Sequence, residues 1–265
     1  RVCHIITNQA QDNICYVVVS ALKGTTEALI AICKAADVSA DIANRKLLEL
    51  LAAHQRIAEA VLNAANAAEW RLETAVHIEA AKKLIQKPVN ADAGVASILA
   101  LGEKLSAALI ARALKQDGAS CHWLCSESLI KTMGSHLNAR LDGKSTQPCF
   151  SGLRNALRRT QITVITGFSA SNKKGQTTLL GRNASDYSAA IVAKYTGSES
   201  VELFGDTGGI LSADPDYVPG ANTIAALTFN DAIQLAKSGS GILHPRTVEP
   251  LIDSGINLRL SDISD

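Results

Sequence analysis

The chain has 265 residues, 47% of them hydrophobic, enough for one large α/β domain or two small ones with a real core and too apolar for a disordered segment. Its 26 Lys plus Arg stand against 25 Asp plus Glu, a net charge of +1, and aromatics make up 4%, so there is neither an electrostatic footprint for nucleic acid or an anionic membrane nor a set of platforms for stacking bases. No stretch approaches the roughly 20 consecutive apolar residues of a membrane helix and the N-terminus lacks a signal-peptide profile, so a cytoplasmic location is expected.

In chain order, the β-branched run at 14–19 predicts a strand, the polar residues 20–26 a turn, and the amphipathic stretch 27–36 a helix. Residues 40–86 are Ala/Leu-rich at helical spacing and Pro88 closes them; a second long helix is expected over 93–115. Strands are expected at 119–124, 162–166, 201–204 and 256–260, separated by helices at 126–134, 150–159, 184–196, 229–238 and 246–254. Residues 167–176 read as a loop, and the polar stretch 138–147 as the best candidate for a mobile one. Strands alternating with helices imply a mostly parallel sheet covered on both faces.

The six cysteines are scattered rather than spaced as a disulfide framework, and read as reduced thiols. In Cys121-His122-Trp123-Leu124-Cys125 an extended strand sends His122 to the face opposite Cys121 and Trp123, which disfavours a metal site there; no metal ligands are expected in the chain.

Parallel sheets bind ligands beyond the carboxyl ends of their strands, and three such loops carry suitable residues. Residues 20–26 are small and hydroxylic, with Gly24 allowing a carboxylate or phosphate close to the backbone. Within 167–186 lies Gly181-Arg182-Asn183-Ala184-Ser185-Asp186-Tyr187-Ser188, which brings a cation, hydroxyls and a carboxylate to the start of a helix. Ser185 as N-cap and Asp186 in the first turn are also what a well-capped helix needs, but capping leaves Arg182 without a role. Gly205-Asp206-Thr207-Gly208-Gly209 follows a strand and reads either as a phosphate loop or as an ordinary tight connection. No loop ends in Gly-Lys-Ser/Thr, which excludes a P-loop.

These residues, in order, resemble the aspartokinases of the amino-acid kinase superfamily: Val17-Val18-Val19-Ser20-Ala21 with Gly24 and Thr26; Leu101-Gly102-Glu103 with Leu105-Ser106-Ala107; Gly167-Phe168; the 181–190 segment; Ser212-Ala213-Asp214-Pro215; and Leu243-His244-Pro245-Arg246-Thr247. The resemblance covers almost the whole chain. It implies a three-layer αβα sandwich around a mostly parallel sheet, the amino-acid kinase or carbamate kinase-like fold. It also implies transfer of the γ-phosphoryl group of ATP, with Mg²⁺, to the side-chain carboxylate of L-aspartate, the entry to lysine, threonine and methionine biosynthesis. By position, Ser20, Thr26, Glu103, Arg182, Ser185 and Asp186 would line the aspartate site, with Arg182 and Asp186 closest to the chemistry. Arg182 can fork onto a carboxylate, and Glu103 or Asp186 can take the α-ammonium. For Glu103 the alternative is a solvated charge on a long helix. His244 and Arg246 read as structural.

On the nucleotide side the resemblance points to Gly205, Asp206, Gly208, Gly209, Leu211, Asp216 and Gly241. Aspartokinases generally read Thr-Asp-Val-Asp-Gly over 205–209, and carry Tyr, Arg and Lys where this chain has Leu211, Asp216 and Gly241. Losing two cations beside a polyphosphate predicts weak ATP binding, since each charged hydrogen bond contributes roughly 1.5–3 kcal/mol. The alternative function is therefore a kinase-like domain that binds aspartate or regulates; another small-carboxylate kinase is a further one. Residues 1–160 would form mainly the aspartate half and 161–265 mainly the nucleotide half. The family's first strand and Lys-Phe/Tyr-Gly-Gly-Thr-Ser loop would lie upstream of Arg1, and ACT regulatory domains, with or without homoserine dehydrogenase, beyond Asp265. A homodimer is the expected assembly.

Overall fold

The computed structural model describes residues 1–89, 91–156, 161–181, 184–205, 209, 218, 220–222, 224, 226–237 and 246–263. Arg1 and Cys3–Ser185 form one compact unit, Val2 and Asp186–Asp265 another.

The first unit is built on a parallel three-stranded sheet, order β1-β5-β2, from β1 Cys15–Val19, β5 Ile162–Thr166 and β2 Cys121–Leu124. Every residue of β5 is buried, as a central strand covered on both faces requires. Helix α1 (Val2–Gln9) precedes β1, and α2 (Thr25–Ala36) follows it. The apolar stretch expected as one helix over 40–86 is two, α3 (Ala40–Val61) and α4 (Ala64–Leu84). The chain turns extended at Leu62, and the Asn63 side chain accepts the Asn66 N–H at 2.9 Å, an N-cap that restarts the helix.

The long helix expected over 93–115 also divides, at Ala100, into α5 (Asp92–Leu99) and α6 (Leu101–Gln116). Together they are apolar and long enough to cross a membrane by composition, which a count of consecutive apolar residues overlooks; most of that stretch is buried within the chain. Helix α6 is buried nearly all round, packing against the three strands and against α4. Its Ala107, Ala111 and Leu114 meet Ile6, Ala10, Val19, Ile162 and Val164 in the core.

A second, mixed sheet has the order β4-β3-β6-β7, from β3 (Lys131–Met133), β4 (Arg140–Leu141), β6 (Ser169–Asn172) and β7 (Thr177–Leu179). It corrects three expectations. In place of a helix at 126–134 there is one 3₁₀ turn, Ser126–Ser128, and then β3. The expected mobile loop at 138–147 contains β4 and the start of α7 (Gly143–Ala156), where Asp142 accepts from Ser145 N–H at 3.2 Å and from Ser145 Oγ at 2.8 Å. The expected loop at 167–176 contains β6, which turns back into β7. These are short segments, and the β3–β6 pairing at the centre of the sheet joins residues far apart in the chain, where local spacing separates strand from helix poorly.

The second unit contains α8 (Ser185–Thr196, its first residue counted with the first unit), β8 (Ser200–Gly205), α9 (Phe229–Lys237) and β9 (Asn257–Asp262). Strands β8 and β9 pair in parallel, and Ala190, Ala193, Val201, Leu251 and Ile256 make the core. The helix expected at 246–254 reduces to one 3₁₀ turn, Glu249–Leu251, with Pro250 in its first turn; lacking an N–H, Pro250 could not bond back to residue 246 in a helix begun there.

Candidate functional site

Register aligns the carboxyl ends of the three parallel strands: Val19 pairs with Thr166, and Leu124 with Ile165. The loops after β1, β5 and β2 therefore leave from one edge. After β1, Ser20 is exposed and Gly24 (φ +81) ends the turn in a left-handed conformation that starts α2. Thr26 is half-buried in the first turn. Its neighbour Thr25 is buried, with Oγ1 3.4 Å from His54 Nε2; His54 Nδ1 lies 2.9 Å from the Leu50 carbonyl oxygen, so Nδ1 carries the proton and Nε2 accepts.

Glu103 is not a solvated charge. It is 3% exposed, in the first turn of α6. Its Oε1 accepts the Ala21 backbone N–H at 3.3 Å, while Oε2 is buried without a hydrogen-bonding partner among the described residues. Burial pushes the carboxyl up to about 7, against the stabilising backbone N–H groups of Glu103 and Ala21. Neighbouring Lys104 is committed elsewhere, its Nζ 2.8 Å from Glu127 Oε1. Gly102 makes the approach of α6 possible: a Cβ there would lie 2.8 Å from Ala21 Cβ and 2.9 Å from Thr25 Cγ2.

At the end of β5, the Gly167 N–H donates to the Val19 carbonyl at 2.8 Å, extending the β1–β5 ladder by one bond. A Cβ at Gly167 would lie 2.6 Å from Ser185 Oγ and 3.0 Å from Ser185 Cα, so the helix start sits directly on the strand end. A chain of contacts thus joins Glu103, Ala21, Val19, Gly167 and Ser185 at one rim. Ser185 is the first helical residue rather than the N-cap. Asp186, half-buried in the first turn of α8, has its pKa raised by burial. Arg182 lies outside the described residues.

Among the residues expected on the nucleotide side, Gly205 is exposed at the end of β8, and Gly209 is buried with φ +128, a conformation open essentially to glycine. Asp206, Gly208, Leu211, Asp216 and Gly241 lie outside the described residues, as does His244. In the 121–125 segment Cys121 Sγ donates to the Ala111 carbonyl at 3.2 Å and His122 is exposed; all six cysteines are free. His54 carries no signal in the sequence, looking like any helix residue until α2 is packed on it, and the role of Gly102 emerges only with the packing of α6. A glycine in the first turn of an Ala/Leu-rich helix, beside an acid, was the available signal for a close approach.

The family model described as the amino acid kinase family matches residues 1–262. The aspartokinase of Chlamydia muridarum is 30% identical over 265 residues, covering 100% of this chain and 57% of that protein. The bifunctional aspartokinase/homoserine dehydrogenase of Haemophilus influenzae is 33% identical over 165 residues, 62% of this chain and 20% of that one. Among solved structures, E. coli aspartokinase III in complex with aspartate and ADP superposes with a TM-score of 0.89 at 25% identity, over 99% of this chain and 58% of that one. The chain thus spans little more than half of these aspartokinases, or less of the bifunctional protein. With a family match over nearly its full length and an α/β fold shared with aspartokinase III, the chain belongs to the amino acid kinase family.

Proposed function

We propose that this chain is the catalytic domain of an aspartate kinase, which transfers the γ-phosphoryl group of ATP to the β-carboxylate of L-aspartate and yields 4-phospho-L-aspartate for lysine, threonine and methionine synthesis. The observation that carries this reading is the buried Oε2 of Glu103, unpartnered among the described residues, at the rim of a parallel sheet. A carboxylate in that state is costly by itself and is stabilised by a ligand ammonium. The α-ammonium of aspartate supplies one.

In this reading Ser20, Thr26 and Ser185 orient the substrate through their hydroxyls, Arg182 forks onto a carboxylate, and Asp186 stands at the dipole-positive start of α8. Phosphoryl transfer asks a protein mainly to hold two anions in line and neutralise them. Bound ATP with Mg²⁺ would supply the phosphoryl group and screen its charge. Gly205 and Gly209 are the described parts of the loop that would hold it with Asp206 and Gly208, and the glycine-only conformation of Gly209 suits a backbone that a phosphate approaches. The aspartate and ADP held by E. coli aspartokinase III support the pairing of ligands. Likeness to bifunctional relatives supports a setting in a larger polypeptide with ACT and homoserine dehydrogenase domains. A homodimer in the cytoplasm completes the proposal.

A second reading, an aspartate-binding module with a degraded nucleotide site, is favoured by Leu211, Asp216 and Gly241 where aspartokinases carry Tyr, Arg and Lys. Incubation of the full-length polypeptide with ATP, L-aspartate and hydroxylamine, which displaces phosphate from an aspartyl phosphate and leaves the unlabelled aspartyl hydroxamate, separates the two. Hydroxamate formation supports the kinase; aspartate binding without transfer supports the module.

A further inference from the structure

Behind the rim lies a closed cluster of hydroxyls that the proposed chemistry does not use. Ser126, Thr166 and Ser169 are fully buried. The Ser126 N–H donates to Thr166 Oγ1 at 2.8 Å, and Ser126 Oγ donates to the Ser169 carbonyl at 2.7 Å. Ser126 Oγ also lies 2.8 Å from Thr166 Oγ1 and 2.9 Å from Ser169 Oγ. Since the Ser126 hydroxyl proton goes to the carbonyl, the other two hydroxyls donate to Ser126 Oγ, and the cluster closes with each proton placed. It ties together the turn after β2, the end of β5 and the start of β6.

Between the two tied ends the chain makes a strained turn. Phe168, buried, has φ +63, and the Ser169 N–H reaches the Gly167 carbonyl at 2.6 Å across it. A non-glycine residue holds such a conformation only where its surroundings over-determine it. The Leu180 N–H bonds the Phe168 carbonyl at 3.0 Å from one side, and the hydroxyl cluster holds both flanks from the other. The residue entering the turn is Gly167, on which Ser185 sits. An apolar core would fill this space without ordering the turn; a fully satisfied polar cluster fixes one geometry.

We infer that Thr166, with Ser126 and Ser169, is a positioning residue: the cluster clamps the Gly167–Phe168 turn, seats Ser185 at the rim, and so sets how tightly the amino-acid substrate is held. This deepens the aspartate reading and rests on it. The test is calorimetric titration of L-aspartate into the full-length wild-type polypeptide, Thr166→Val, which removes the hydroxyl at constant shape, and Thr166→Ser, which keeps it. Thr178→Val is the control, deleting a buried hydroxyl bonded to Thr132 Oγ1 at 2.7 Å on the second sheet. Thr166→Val is expected to raise Kd about tenfold, the equivalent of one hydrogen bond to the ligand. Thr166→Ser is expected to restore binding to within about twofold of wild type, and Thr178→Val to leave it at the wild-type value. Wild-type Kd in Thr166→Val, or an equal loss in Thr178→Val, overturns the inference while leaving the aspartate reading intact; a wild type that binds no L-aspartate overturns that reading and the inference with it. Should Thr166→Val fail to fold, Ser169→Ala removes another arm of the cluster and is read in the same way.

Discussion

Glu103 and Ala21, 82 positions apart in sequence, are joined by a 3.3 Å hydrogen bond from the Ala21 backbone N–H to Glu103 Oε1, and the other oxygen of that carboxylate is buried without a described partner. Half the carboxylate anchors α6 to the loop after β1; the other half is available to a ligand. Glu103→Gln keeps the shape and removes the charge. Its expected effect is a 10- to 100-fold weaker L-aspartate Kd, from losing a charged hydrogen bond of roughly 1.5–3 kcal/mol, with ligand-free thermal stability unchanged or raised. Calorimetry and thermal melts check the two halves of this expectation.

Two buried groups give opposite pH signatures. The Glu103 carboxyl is raised from 4.5 to about 7 by burial, so between those values the folded chain binds more protons than the unfolded one, and Glu103's contribution lowers stability as pH rises through the window. His54 is lowered from 6.5 by burial, so its contribution is lost as pH falls below 6.5. Melting temperatures measured against pH for Glu103→Gln and His54→Gln are expected to differ from wild type with opposite slopes in these ranges. L-Aspartate affinity is expected to rise with pH up to about 7 as Glu103 ionises.

Gly102→Ala and Gly167→Ala each place a methyl where there is no room, 2.8 Å from Ala21 Cβ in the first case and 2.6 Å from Ser185 Oγ in the second. Each is expected to cost about 1–3 kcal/mol of stability, as overpacking does, and to weaken L-aspartate binding more than a comparably destabilising surface change. Denaturant unfolding alongside ligand titration measures both effects.

Arg182→Ala is expected to weaken L-aspartate capture far more than nucleotide binding, because the guanidinium is assigned to a substrate carboxylate. Equal losses in separate titrations of the two ligands would contradict that placement.

Much of this arrangement is legible in the sequence because the chemistry is local. Residues 14–19, 162–166 and 201–204 are β-branched or apolar runs too short for helices, and the loops after them carry the hydroxyls, glycines and acids of the rim. The second sheet was not legible, since β3, β4 and β6 have two to four residues each, too few to show a period, and its central pairing sets Ser171 opposite the distant Lys131. The break at Ala100 was equally hidden, because alanine favours helix and nothing local stops one there. For Glu103 the residue type marked the site, but its burial depends on Gly102 fitting against Ala21 and Thr25, a contact between segments about 80 positions apart. The expectations at Arg182, Asp206, Gly208, Leu211, Asp216 and Gly241 fall outside the described residues.

The most direct measurement compares L-aspartate with succinate, the same dicarboxylate lacking the ammonium, in calorimetric titrations of wild type and Glu103→Gln. If Glu103 Oε2 is the seat of the ammonium, wild type favours L-aspartate by 10-fold or more, as a charged hydrogen bond of roughly 1.5–3 kcal/mol implies, and Glu103→Gln abolishes the preference. A preference that survives unchanged in Glu103→Gln contradicts the assignment.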